Sequence, residues 1–234
     1  MCVVAIAWAA HSKWRLVVAG NRDEYHARAS APLARWEDSP DIIAGRDLVS
    51  GGTWIGVSEA GRFAVVTNIR NPEGPDPAKA SRGALVSDWL ERGTVPDRLD
   101  AFNPFNLVIG DANSLDYLAN RPGDVRESLS SGIHGLSNAI ANEHWPRKDR
   151  LNAMMADWLK GAADQPEQLL ECLADKSLPD RDAHPIFIKS PIYGTRCSTV
   201  IAVDNEGLGL IIERSFDADG LAAADSRLNF SWHG

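Results

Sequence analysis

The chain has 234 residues and a formal net charge of −8, with 44% apolar and 24% charged residues. That length suits a single domain, 1–234, with a substantial core, and the composition is that of an ordinary globule. The acidic balance argues against nucleic acid or an anionic membrane as main partner, and no apolar run approaches the roughly 18 residues that span a bilayer.

The first stretch, Met1 to Glu24, organises the reading. Val3 to Trp8 and Trp14 to Ala19 are apolar runs joined by Ala10-His11-Ser12-Lys13, which predicts a hairpin. Such a hairpin returns Asn21, Arg22, Asp23 and Glu24 to the side of Cys2. Removal of Met1 would leave Cys2 with a thiol and a free α-amine on one residue. An α-amine titrates at about 7.7–8.0, so it can take the thiol proton without a histidine. The opening run lacks the basic flank and cleavage site of a signal peptide. Cys2, Cys172 and Cys197 include no C-x-x-C pair, so neither a disulfide framework nor a metal site is expected, and a reduced, cytoplasmic setting follows.

Tyr25 to Asp41, interrupted by Pro32 and Pro40, reads as a loop in which His26 and Arg28 line a pocket mouth. Ile42 to Gly45 is a short strand. Thr53 to Val57 and Phe63 to Thr67 form a second hairpin that delivers Asn68 to a strand end, where its amide can serve an oxyanion. Asn71 to Ala78, with three prolines, is a loop. Ser81 starts a helix carrying Leu85 and Trp89, and Gly93 ends it. Asn106 to Gly110 and Leu115 to Ala119 make a third hairpin. His134 and Asn138 lie in a Gly-rich polar segment that ends a strand. Leu151, Met154, Met155, Trp158 and Leu159 make one apolar helical stripe ended by Gly161. A further helix through Leu169, Leu170 and Leu173 carries Cys172. Val200 to Val203 and Leu208 to Glu213 are a fourth hairpin, with Arg196 just before it, and Leu228 to Trp232 is a final strand. Hairpins and few helices predict an α+β fold.

Gly20-Asn21-Arg22-Asp23-Glu24 behind Met1-Cys2 resembles the signature of the NRDE family, also called the transport-and-Golgi-organisation family. Gly51 to Val57, His134 to Asn138 and Tyr193 to Thr199 fit it as well. That family is in turn similar to N-terminal-nucleophile hydrolases of the choloylglycine hydrolase and penicillin acylase group. The resemblance implies a four-layer α/β/β/α sandwich and a hydrolase or acyltransferase for non-peptide C–N bonds. In that reading Cys2 attacks, Arg22 and Asp23 hold the amine and thiolate, and Asn68 and Asn138 stabilise the oxyanion. Arg196 supports the site, and Asn21, Glu24, His26 and His134 bind substrate. In the choloylglycine-like enzymes the arginine precedes its aspartate by three positions, whereas Arg22 and Asp23 are adjacent, which leaves the acid role open between Asp23 and Glu24. No cofactor or metal is required. The alternative is a carrier of haem, acyl-CoA or lipid using the same cleft, with His26, His134 and Cys2 as candidate haem ligands. Expected partners are therefore a small-molecule amide, an acyl conjugate or haem.

Overall fold

A computed structural model describes residues 2–140, 143–178 and 184–232. In chain order the strands are β1 (Val3–Trp8), β2 (Trp14–Tyr25), β3 (Ser30–Arg35), β4 (Ile42–Asp47), β5 (Ile55–Ser58) and β6 (Arg62–Asn68). They continue as β7 (Phe105–Gly110), β8 (Leu115–Ala119), β9 (Val125–Ser128), β10 (Gly132–Leu136), β11 (Tyr193–Asp204), β12 (Leu208–Phe216) and β13 (Ala222–Ser231). The α-helices are α1 (Arg82–Arg92), α2 (Pro146–Lys160) and α3 (Leu169–Leu173).

Alternation along the strands sorts side chains into two layers of core. Val4, Ile6 and Val18 face the second sheet, where Ile55, Val65 and Val108 meet them. Val3, Ala5 and Ala19 face the other way, onto Leu151 and Met155 of α2 and Leu169 of α3. The second sheet turns Ala64, Val66 and Leu107 onto Leu85 and Leu90 of α1. The first sheet runs β10-β1-β2-β11-β12-β13 and the second β3-β4-β5-β6-β7-β8-β9, with each neighbouring pair of strands antiparallel. The result is the α/β/β/α sandwich of an α+β fold. All four expected hairpins are present, as are the helices ended by Gly93 and Gly161.

Three segments differ from the sequence reading. Residues 30–35 form a strand despite Pro32, because β3 lies at the edge of its sheet and its register shifts between Ala31 and Ala34. An edge or a bulge is where a residue without an N–H can be accommodated. β2 does not stop at Gly20 but continues to Tyr25, so Asn21–Glu24 is paired strand rather than a turn. β11 begins at Tyr193, which places Arg196 inside a strand. No described helix is long and apolar enough to cross a membrane.

Candidate active site

Val3 pairs with Asn21, so Cys2 continues the β1 ladder opposite Arg22, and Arg22 pairs in turn with Cys197 on β11 and Cys197 with Ser215 on β12. These four side chains lie in one row on the inner face of the first sheet. The row floors a cavity of about 880 Å³ at one end of the sandwich. Asn68, Asn138 and the residues from Arg70 to Gly83 contribute to its walls. Of the residues singled out in the sequence, Cys2, Arg22, Asp23, Glu24, Asn68, Asn138 and Arg196 line this one cavity.

Three expected substrate-binding residues do not line it. Asn21 is fully buried and, one position from Arg22, points to the opposite face. There its amide donates to the carbonyls of Leu173 and Ile186, both at 2.9 Å, and accepts from the Ser198 hydroxyl at 2.6 Å. His26 donates through Nε2 to the Ser190 carbonyl at 3.0 Å. His134, on edge strand β10, folds its ring back onto the Ser130 carbonyl at 2.8 Å.

Asp23 shares Asn21's side of the sheet. Its carboxylate accepts from Arg147 at 2.6 Å and from the Thr195 hydroxyl at 2.7 Å, with both ion-pair partners almost completely buried. Arg147 also donates to the Ile186 carbonyl. The backbone N–H of Asp23 meanwhile serves the Cys2 sulfur. Asp23 thus links the nucleophile to α2 through its backbone and side chain. Glu24 faces Arg22 at 3.9 Å and accepts the N–H of Tyr25.

Burial holds the Cys2 thiol above its ordinary value and the Asp23 charge adds to this, while the Asp23 N–H and the Arg22 charge offset only part of it. Arg22 donates through Nη2 to Asp47 at 3.1 Å, and its other terminal nitrogen, Nη1, is buried without a partner among the described residues. Asp47 also takes Arg28 at 2.6 and 3.1 Å. Burial pushes the Asp47 carboxyl up, but the hydrogen bonds from Arg28 and the Ser50 N–H hold it below its usual range. Arg196 sits where the β2–β11 register shifts, a bulge that re-aims the side chain. Its Nη1 donates to the carbonyls of Tyr25, His26 and Arg28 at 2.9–3.3 Å and so braces the turn that follows β2.

Asn68 and Asn138 meet across the two sheets. The Asn138 amide donates to the Asn68 carbonyl at 2.6 Å, and its own carbonyl oxygen is buried without a partner among the described residues. A network inside the sandwich sets this contact. Thr67 donates to Ser137 O at 2.6 Å, Asn106 donates to the carbonyls of Ser137 and Ala139, and Tyr117 donates to Asn106 at 2.7 Å. Each bond satisfies a polar group that would otherwise be buried unpaired.

Four residues at the site were not assigned a role in the sequence reading: Arg147, Arg82, Cys197 and Glu213. Arg147 follows Pro146 in the first turn of α2, a position that usually reads as solvated. Glu213 lies in an apolar strand, where its charge was the one available signal. It is 3% exposed, takes the Leu33 N–H freed by the β3 bulge at 2.8 Å, and contacts Thr199. Burial raises the Glu213 carboxyl above its ordinary 4.5. The folded state therefore binds this proton more tightly than the unfolded chain does. Stability from this group is full below about 4.5 and declines as pH rises through the raised folded value. Glu213→Gln is expected to flatten the fall of the urea midpoint as pH rises above about 4.5. Identical pH slopes in the two proteins would refute this.

Cys197 is buried beside Glu213, and burial followed by that carboxylate's charge raises its thiol well above the ordinary value. Cys2 is only partly buried. Iodoacetamide at pH 7.5 should therefore alkylate Cys2 in the native protein and leave Cys197 until unfolding, as read by peptide mass spectrometry. Earlier alkylation of Cys197 would contradict this picture of the wall.

The sandwich has the fold of the N-terminal-nucleophile hydrolases. The chain aligns with a Caenorhabditis elegans N-acylethanolamine-hydrolyzing acid amidase orthologue at TM-score 0.55 and 12% identity, over 86% of this chain and 92% of that one. It aligns with the C2A variant of a conjugated bile acid hydrolase from Clostridium perfringens at TM-score 0.53 and 8% identity, over 100% and 97%. Within that fold, residues 1–218 match the family model Transport and Golgi organisation 2, and the chain belongs to that family. The Transport and Golgi organization protein 2 homolog of Homo sapiens is 27% identical over 97% of both chains. The Drosophila melanogaster Transport and Golgi organization protein 2 is 25% identical over 86% of both.

Proposed function

We propose that the chain is a cysteine amidohydrolase for small N-acyl amides, with Cys2 as nucleophile. The observation that carries this reading is the meeting of Cys2, Arg22, Asn68 and Asn138 in one cavity. Met1, whose removal exposes the amine of Cys2, lies outside the described residues. With that amine free, the thiol proton passes to it as sulfur attacks the amide carbon. The carbonyl π electrons move onto oxygen, where the amides of Asn68 and Asn138, which line the same cavity, are the candidate donors. Collapse breaks the C–N bond, the proton goes to the departing amine, and a thioester remains on Cys2. Water then attacks the thioester, releasing the carboxylic acid and restoring the thiol. Arg22 holds charge beside the sulfur, Asp23 fixes the strand end through Arg147, and Arg196 braces the turn after β2. The acid role goes to Asp23 on this reading, while Glu24 remains against Arg22.

Support also comes from the names of the two structural neighbours, which describe enzymes that cleave N-acyl and bile acid conjugates. For the carrier alternative, only Cys2 of the three candidate haem ligands lines the cavity. The test uses protein whose intact mass shows loss of Met1, incubated with a panel of N-acyl amides. Amine release and an acyl adduct on the Cys2 peptide are expected. Neither product across the panel would overturn the reading.

A further inference from the structure

The chain is acidic, yet its cavity is basic. Seven of its 24 Lys and Arg residues line the cavity, against four of its 32 Asp and Glu residues. Most of these cations are already engaged. Arg22 and Arg28 share Asp47, Arg46 pairs with Asp38, Arg196 is cradled by carbonyls, and Arg70 lies over the Trp145 ring. Arg82 is different. It is half-buried, its described hydrogen bond is to the Pro104 carbonyl, and no carboxylate of the described residues forms an ion pair with it. Burial lowers its affinity for its proton, and the fields it feels include those of Cys2 and Glu24. A charge taken out of water without a counter-ion is costly, so its retention calls for an anion.

The surroundings of Arg82 suit one. Arg82 opens α1, and Ser81, Arg82 and Gly83 all line the cavity. Ser81 makes no side-chain cap, although its carbonyl takes the Ala84 N–H at 3.1 Å. Gly52 and Gly83 bring this turn against the adjoining loop: a Cβ on Gly52 would lie 2.5 Å from the Gly83 backbone. Independently, Arg22, which also lines the cavity, is 9% exposed, and its buried Nη1 has no partner among the described residues.

We propose that the substrate carries an anionic group, a carboxylate or phosphate, which sits beside Cys2 against Arg82 and the first turn of α1. The substrate class is then an acyl amide of an anionic amine, such as an amino acid or a phosphorylated amino alcohol. This rests on the amidohydrolase reading for turnover but not for binding. Electrostatic focusing by a basic cavity in an acidic protein would also make capture depend on salt.

The test compares N-dodecanoyl glycine, N-dodecanoyl phosphoethanolamine and neutral N-dodecanoyl ethanolamine. Calorimetric binding to Cys2→Ala protein should favour at least one anionic amide over the neutral one by about tenfold or more at low salt. Arg82→Gln in that background should lower the ratio about tenfold, and Arg82→Lys should restore part of it. Preference for phosphate alone, or for both anions, identifies the group and supports the proposal. Equal binding of all three, or an unchanged ratio in Arg82→Gln, overturns it. Anion-selective binding without turnover by the parent would keep the subsite and sink the hydrolase. Turnover indifferent to charge, with equal binding of all three, would keep the hydrolase and sink the subsite.

Discussion

Arg147→Ala is expected to destabilise the fold by about 3–5 kcal/mol, the usual cost of removing one partner of a buried ion pair. The carboxylate of Asp23 would keep the Thr195 hydroxyl but lose the guanidinium 2.6 Å away, in a site whose side chains are 2% and 0% exposed. The Ile186 carbonyl would lose a donor as well. A native domain has only about 5–15 kcal/mol in total, so the variant could populate unfolded protein at physiological temperature. Urea denaturation monitored by circular dichroism reads the loss. Adding Asp23→Asn to Arg147→Ala should recover part of it, because the stranded charge is then gone. A loss under about 1 kcal/mol in the single variant would mean that water reaches the pair and screens it.

The largest effect on activity should come from Cys2. If the amidohydrolase reading holds, Cys2→Ala lowers kcat by a factor on the order of 10⁴–10⁶, as for other lost nucleophiles. Folding should be nearly unchanged, because the side chain is small and reaches the cavity. Cys2→Ser should retain a measurable fraction, since the same α-amine can take a hydroxyl proton, though the hydroxyl is the poorer nucleophile. Protein that keeps Met1 should behave like Cys2→Ala, because its α-amine belongs to another residue. Amine release by Cys2→Ala within threefold of the parent would remove Cys2 from the chemistry.

The hairpins were readable because their alternation and turn residues are local signals. So was the approach of Arg22 to Cys2, which the β1–β2 register enforces once the hairpin forms. What the local pattern did not contain was which face each polar residue takes. Asn21, Arg22 and Asp23 read as one charged cluster while their strand extension was unknown. Pairing as far as Tyr25 sends Arg22 into the cavity and its two neighbours towards the helices. Arg147 is 124 residues from Asp23 and Glu213 is 180 from Leu33, distances over which no periodicity gives a signal. Pro32 argued against a strand that the sheet edge nevertheless allows.

The position of Cys2 has a practical consequence for handling the protein. Its side chain lines the cavity one residue before β1 begins, so any segment joined in front of it must start at the cavity wall. A purification tag fused there would compete with small molecules for the space it is meant to leave untouched. A tag placed after β13 starts from the far edge of the first sheet, five strands across from β10. Binding titrations on the two fusions should differ for that reason alone, and a ligand missed with one could be found with the other.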